Sequence, residues 1–335
     1  MLKKLCDASG VSGNEGNIRD IIIDAVKPHC DSISIDKLGN VIAFKKAHSK
    51  KRSAKKIMAA AHMDEVGFMV KSINKDGFLS ILPAGGIDRR VVLSKRVKVG
   101  KDEMPGIISY KPPHAQSDGY KNIPKWKEIF VDIGAKDKKD AEKYVSVGDY
   151  ISFDTEFVKK RNLLRGKAFD DRFGCYSLIE ILKKKLSNDI YAVFTVQEEV
   201  GLRGASAAGS AIQPDYCIVL EGTSAGDFPQ ERDIGDSPKM GEGVVLTISD
   251  RTAFSDKELR KQTEDIAMRL KIKYQYKQPM IGGTDAGVIH LQGSGAKSIV
   301  MAVASRYIHS PVSFADYRDL KGMVKLAYNL INEIK

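Results

Sequence analysis

Cysteine is scarce in this chain, and the four present, Cys6, Cys30, Cys175 and Cys217, stand far apart with no C-x-x-C pair. That spacing argues against a disulfide-built scaffold and a thiolate zinc site, and points to unpaired thiols in a reducing compartment, the cytoplasm by default. Long apolar runs are also missing. No stretch approaches the roughly 20 residues of a membrane span, and Lys3 and Lys4 are not followed by the apolar core of a secretion signal. A membrane or secreted protein is therefore not expected. There are no internal repeats and no low-complexity tract. The Gly-rich stretch Gly282 to Gly287 is neither a P-loop nor G-x-G-x-x-G, which leaves it at most an anion or carboxylate contact at a helix N-terminus.

What is present is a globular chain of 335 residues, 42% apolar, with a net charge of +11. The densest basic cluster, Lys45 to Lys56, holds seven Lys or Arg without an aromatic side chain for base stacking, so it reads as a solvated loop and no nucleic-acid partner is expected. A first helix carries Ile18, Ile21, Ile22, Ala25 and Val26 on one face, opens on a Ser12 to Glu15 capping box and stops at Pro28. A hairpin of Ser32 to Ile35 with Val41 to Phe44 follows, then Ile57 to Ala61, a strand apolar enough to be buried on both faces. From 68 to 161 the texture is short strands broken by Gly, Pro and Asp, which predicts a small β-barrel. Within it, the long loop Lys111 to Lys127 is a candidate for a mobile segment or an assembly contact.

Beyond 161 helices and strands alternate: helix Arg172 to Leu186, strand Tyr191 to Val196, helix Arg203 to Ala208, strands Tyr216 to Leu220 and Val244 to Ser249. Helices Asp256 to Leu270 and Ala286 to Leu291, strand Ser298 to Val303 and a helix from Phe314 complete the pattern. The fold class is α/β: a mixed-sheet α/β sandwich formed by 1–67 and 162–335, interrupted by the inserted barrel of 68–161.

Five side chains that suit a metal, His62, Asp170, Glu199, Glu221 and His309, each follow a strand-like run or lie in a Gly, Ser or Pro turn. Two His with three carboxylates fit Zn, Co or Mn, and one carboxylate more than a single tetrahedral site needs suggests two ions with a shared ligand. In an open α/β sheet such residues belong at the carboxyl ends of strands. Asp64, two residues after His62, could hold the other imidazole nitrogen. Glu198, beside Glu199 at a strand exit that turns at Gly201, is left free to move protons. Asp171 would support the helix start and Arg172 would pair with a carboxylate. His29, His48, His114 and His290 lack a partner carboxylate and read as structural or exposed.

Together His62-Met63-Asp64-Glu65-Val66-Gly67, Phe169-Asp170-Asp171-Arg172, Gln197-Glu198-Glu199-Val200-Gly201 and Ile308-His309-Ser310-Pro311 resemble the tetrahedral (TET) metallo-aminopeptidases. That family includes glutamyl and deblocking aminopeptidases, and some members carry the label endoglucanase M. The resemblance covers the whole chain, motifs in order. It implies that His62, Asp170 and Glu221 hold one divalent ion and Asp170, Glu199 and His309 a second, with Asp170 bridging, Glu198 the general base and Asp64 orienting His62. Glu221 stands where many relatives have Asp, which alters reach but still supplies a carboxylate oxygen.

The resemblance further implies peptide substrates with a free N-terminus and a dodecamer in a hollow tetrahedral particle, with the barrel as an oligomerisation element. A metallo-carboxypeptidase or deacylase could use much the same ligand set. An endoglucanase reading would leave His62, Asp64 and His309 without a role.

Overall fold

The computed structural model describes residues 1–48, 55–112, 123–229, 237–277 and 280–335. At its centre is Ile57–His62, a strand whose side chains are all buried. It lies between two parallel neighbours, Ile190–Thr195 and Tyr216–Ser224, and Lys297–Arg306 runs parallel beyond the second. Because successive side chains point to opposite faces, one strand feeds two layers. Ala59 and Ala61 join Ile218, Leu220 and Met301 in the larger core beneath helices Phe169–Leu182 and Tyr317–Glu333. Met58 and Ala60 join Val219 and Val300 in a smaller core beneath Arg203–Ile212 and Ala286–Ile289.

Antiparallel strands extend this mixed sheet at both edges, to 11 strands among the described residues. The predicted hairpin forms one edge, with Ser32 opposite Phe44. Ser313–Asp316, Leu163–Gly166 and Val158–Lys160 form the other. The predicted barrel is a separate closed structure of Gly67–Ile73, Leu79–Ala84, Phe130–Asp132, Met104–Ser109, Arg96–Val99 and Tyr150–Phe153. Its own core includes Phe68, Val70, Leu79, Val131 and Phe153, with the rings of Phe68 and Phe153 edge to face. None of the four cysteines is in a disulfide. Among the described residues, no helix is long and apolar enough to cross a membrane.

The structure departs from the sequence reading in five places. Val158–Lys160, read as part of the barrel segment 68–161, pairs with Leu163–Gly166 at the edge of the large sheet, so the barrel's last strand is Tyr150–Phe153. Ser12 and Glu15 form no capping box: the Ser12 hydroxyl donates to Asp64 and the Glu15 carboxylate accepts from the amides of Gly13 and Gln197. Long-range partners have displaced the local pairing. The strand at Tyr216 runs on to Ser224 because Lys297–Arg306 pairs with it throughout, which puts Glu221 inside the strand. The last helix begins at Tyr317, where Asp316 caps it, and 313–316 joins the sheet instead. Tyr274–Lys277, an unforeseen edge strand, pairs with Val244–Thr247. Residues 49–54 of the basic cluster and 113–122 of the long loop, His114 included, lie outside the described residues.

Candidate metal centre

The parallel strands bring their carboxyl ends to one side of the sheet, and the site is built there. His62 is the last residue of its strand and lies in register with Thr195. After Thr195 the chain turns through Gln197 into Glu198 and Glu199. Asp170 and Asp171 open the helix Phe169–Leu182, and His309 sits in the loop after Lys297–Arg306. Three of these approaches pass through left-handed backbone at non-glycine residues, Ala168 (φ 55°), Gln197 (φ 57°) and His309 itself (φ 55°). Such conformations cost on the order of 1–3 kcal/mol each and persist where surrounding contacts enforce them. Gly222 is required by a close approach: a Cβ there would lie 2.8 Å from the Cα of Asp170.

Asp170 faces both histidines. Its Oδ1 is 3.1 Å from His62 Nε2 and its Oδ2 is 3.3 Å from His309 Nε2. Glu221 Oε2 and Glu198 Oε2 are 3.6 and 4.0 Å from His62 Nε2, and Glu199 Oε1 is 3.2 Å from His309 Nε2. The opposite nitrogens are held from behind: His62 Nδ1 by the carbonyl and carboxylate of Asp64, and His309 Nδ1 by the Gly86 carbonyl at 3.0 Å. A backbone carbonyl only accepts, so His309 Nδ1 carries a proton and Nε2 is the nitrogen directed into the cluster. The potential ligand atoms of His62, Asp170 and Glu199 fall within 4.8 Å of one another, and so do those of His62, Asp171 and Glu221.

Asp171 thus comes closer to the cluster than its expected supporting role required. Both of its oxygens, however, accept backbone N–H groups, from His62 and Gly174.

Carboxylates outnumber the two histidines in this cluster. Burial pushes the carboxyl of Glu198 well above its ordinary range, with His62 opposing and Asp285, Glu199 and Asp170 adding to the shift. Burial likewise raises Glu199 and, with Asp171 beside it, Glu221. Burial alone would raise Asp170, but hydrogen bonds to His309 and His62 hold it well below the carboxylate range. Burial alone would lower His309, yet its bonds to Asp170 and Glu199 push it up to about 11. Where carboxylates are this crowded and desolvated, the histidines are driven to take protons. Among the described residues, the buried Glu221 Oε1 has no hydrogen-bond donor. Cations at the histidine nitrogens would relieve both conditions, so the residues present fit metal ions.

Two supports around the centre were not read from the sequence. Asp64, fully buried, accepts from the backbone amides of both Glu198 (3.0 Å) and Glu199 (3.2 Å) as well as from Ser12, so one carboxylate fixes His62 and the acidic turn together. Behind it lies a buried charge cluster. Lys167 Nζ donates to both oxygens of Glu65 at 2.6 Å and to the Ala8 carbonyl, while Arg172 donates to the Leu5 carbonyl and lies 3.4 Å from Glu65. Arg172 does pair with a carboxylate as expected. Glu65, directly after Met63-Asp64 at a buried strand exit, was the available signal for the rest.

Beside the centre opens a cavity of about 570 Å³. Asp170, Glu198, Glu199, Glu221 and His309 line one side, and Ala225, Phe228, Ile281 and Ile308 line much of the remainder.

Residues 39–326 match the profile of the M42 glutamyl aminopeptidase family. The chain belongs to that family. Its members are metallopeptidases, and the chain is accordingly an enzyme of the peptide-bond hydrolase class. It is similar to the lysyl aminopeptidase of Pyrococcus furiosus, at 35% identity over 100% of this chain and 97% of that one. Among solved structures, a TET aminopeptidase from a marine sediment archaeon of the Thaumarchaeota superposes with a TM-score of 0.94 at 36% identity, covering 100% of this chain and 95% of that one. The TET1 peptidase of Pyrococcus horikoshii, which can assemble into a tetrahedron or a large octahedral shell, has a TM-score of 0.87 at 30% identity, covering 99% and 98%. The family therefore carries both the fold and the broad activity.

Proposed function

We propose that this M42 enzyme is a dinuclear metal-dependent aminopeptidase that removes single residues from peptide N-termini. The observation that carries this reading is Asp170, whose two oxygens face two different histidines at 3.1 and 3.3 Å. His62, Asp170 and Glu221 would hold one ion and Asp170, Glu199 and His309 the other. Asp170 is preferred to Asp171 as the shared ligand because the oxygens of Asp171 already accept two backbone amides. Zn or Co suits this mix of imidazole and carboxylate, and Mn is also compatible.

Bound there, two divalent ions would acidify a water and polarise the scissile carbonyl. The remaining steps belong to the chain. Glu198, in the cavity wall with its carboxyl basicity raised by burial, accepts the proton of the attacking water and returns it to the leaving amine. Asp64, through the amides of Glu198 and Glu199, keeps base and ligand at fixed separation and is a positioning residue. The free α-amine of the peptide binds at the acidic wall, and the side chain of the first residue enters the cavity. We place the enzyme in the cytoplasm as a tetrahedral dodecamer, with the inserted barrel, whose strands run from Gly67 to Phe153, as an assembly element and the large sheet on either side of it as the catalytic domain.

The test is hydrolysis of aminoacyl chromogenic amides against their N-acetylated counterparts, after chelation and after adding back Zn or Co. Metal-restored cleavage confined to free amines is expected. Cleavage of the acetylated compounds instead would reassign the site to a deacylase, and cleavage at the other end of a peptide to a carboxypeptidase.

A further inference from the structure

After the strand end at Thr195, four consecutive backbone amides donate to side chains brought from elsewhere in the chain. Val196 donates to Asn40 Oδ1 at 2.9 Å, Gln197 to Glu15 Oε1 at 3.2 Å, and Glu198 and Glu199 to the two oxygens of Asp64. Left-handed backbone at Gln197 (φ 57°) turns successive N–H groups toward one side, a geometry suited to holding an anion. Here two buried carboxylates, Glu15 and Asp64, fill it. Glu15 comes from the segment after the helix Leu2–Asp7, which docks along Glu65: the Glu65 amide donates to the Gly10 carbonyl and the Ser12 amide donates to the Glu65 carbonyl. The Ser12 hydroxyl then reaches Asp64 Oδ2 at 2.7 Å. Gly13 (φ 90°) is required next, because a Cβ there would lie 2.7 Å from the Tyr150 hydroxyl of the barrel. Its amide donates at 2.7 Å to the same Glu15 oxygen that receives Gln197.

We infer that Glu15 and Ser12 are positioning residues that aim the Glu198 carboxylate, Glu15 through the Gln197 amide and Ser12 through Asp64. The inference rests on the reading of Glu198 as the base. The N–H groups of Gln197 and Glu198 belong to the two peptide planes that precede the Glu198 Cα, so Glu15 holds the first plane and Asp64 the second. Loss of either acceptor loosens the direction in which the base leaves the backbone, and a shift of about 1 Å at a reacting group costs up to about 100-fold in rate. One Glu15 oxygen accepts both amides, a task that an amide carbonyl also performs. The property required at position 15 is therefore an acceptor and not a charge.

The experiment compares wild type, Glu15→Met, Glu15→Gln and Ser12→Ala as metal-loaded enzymes on free-amine chromogenic amides, with kcat and KM resolved separately. Hydrogen exchange of the 196–199 amides is followed in the same proteins with and without added metal, which reads the turn independently of turnover. Glu15→Met should speed exchange at Gln197 by about 10-fold and lower kcat by about 10- to 100-fold, with KM changed by less than about 3-fold. Glu15→Gln should recover most of both losses. Ser12→Ala, which removes one hydrogen bond and little volume, should lower kcat by about 3- to 10-fold and decides the matter if Glu15→Met does not fold. Wild-type kcat in folded Glu15→Met or in Ser12→Ala, unchanged exchange at Gln197, or a loss confined to KM overturns the inference alone. So does a Glu15→Gln variant as impaired as Glu15→Met, which would assign Glu15 to charge. A wild type that cleaves no free-amine substrate under any metal overturns the aminopeptidase reading and the inference with it.

Discussion

The barrel and the carboxyl edge of the large sheet are built on opposite principles. The barrel buries an apolar set, Phe68, Val70, Leu79, Val97, Val131, Ile151 and Phe153, with Ser152 a rare buried polar side chain among its described residues. The sheet edge buries His62, Asp64, Glu65, Lys167, Asp171, Arg172, Glu221 and Asp285, drawn from distant segments of the chain. The first region is ordinary hydrophobic stabilisation. The second is a concentration of desolvated charge that other groups must hold in place, as expected where binding sites are preorganised at a cost in stability.

That contrast can be tested by breaking each region in turn. The largest effect should come from Glu198→Gln, which keeps the side chain's shape but removes the proposed base: kcat is expected to fall by about 10²- to 10⁴-fold with little change in melting temperature. Stopped assays together with a thermal melt check both halves, and wild-type turnover would remove Glu198 from its role. Lys167→Met leaves Glu65 without its principal partner and should cost about 3–5 kcal/mol by denaturant titration, the scale for stranding a buried charge. Phe68→Ala should cost a similar amount, about 3–5 kcal/mol, through a cavity in the barrel. Unlike substitutions of the proposed ligands, it should leave the metal content of the folded fraction unchanged.

A smaller effect is expected from Asp319, far along the chain in the last helix. Its carboxylate accepts from the amides of Gly241 and Gly243, yet burial raises its pKa to about 6. A carboxyl raised in the folded state binds its proton more tightly there than when unfolded. Its contribution to stability is therefore present below about pH 4, near the unfolded value, and is lost as pH rises through about 6. Asp319→Asn should flatten the slope of stability against pH between those limits, and an unchanged slope would assign the effect to other groups.

How much of this was legible in the sequence differs between the same two regions. The barrel and sandwich could be read because strand alternation and turn residues are local signals: Ile57 to Ala61 announces a doubly buried strand by composition alone. The acidic pair Glu198 and Glu199 at a strand exit was equally plain, as were the two histidines. What could not be read depends on contacts far apart in sequence. Ser12 resembled a helix cap because its true partner, Asp64, is distant in the chain. The cluster of Glu65, Lys167 and Arg172 joins three segments that only folding brings together. Glu221 was placed just beyond its strand because pairing with Lys297–Arg306, rather than local composition, determines where that strand ends.

The central claim is that Asp170 bridges two metal ions held by separate histidines, and metal stoichiometry tests it most directly. Chelated protein would be titrated with Zn or Co in wild type, His309→Ala and Asp170→Asn, with bound ions counted by elemental analysis and affinity measured by calorimetry. The account predicts two ions per chain in wild type, selective loss of one in His309→Ala, and weakening of both in Asp170→Asn. A single ion in wild type, or an Asp170→Asn variant that binds as wild type does, would contradict it.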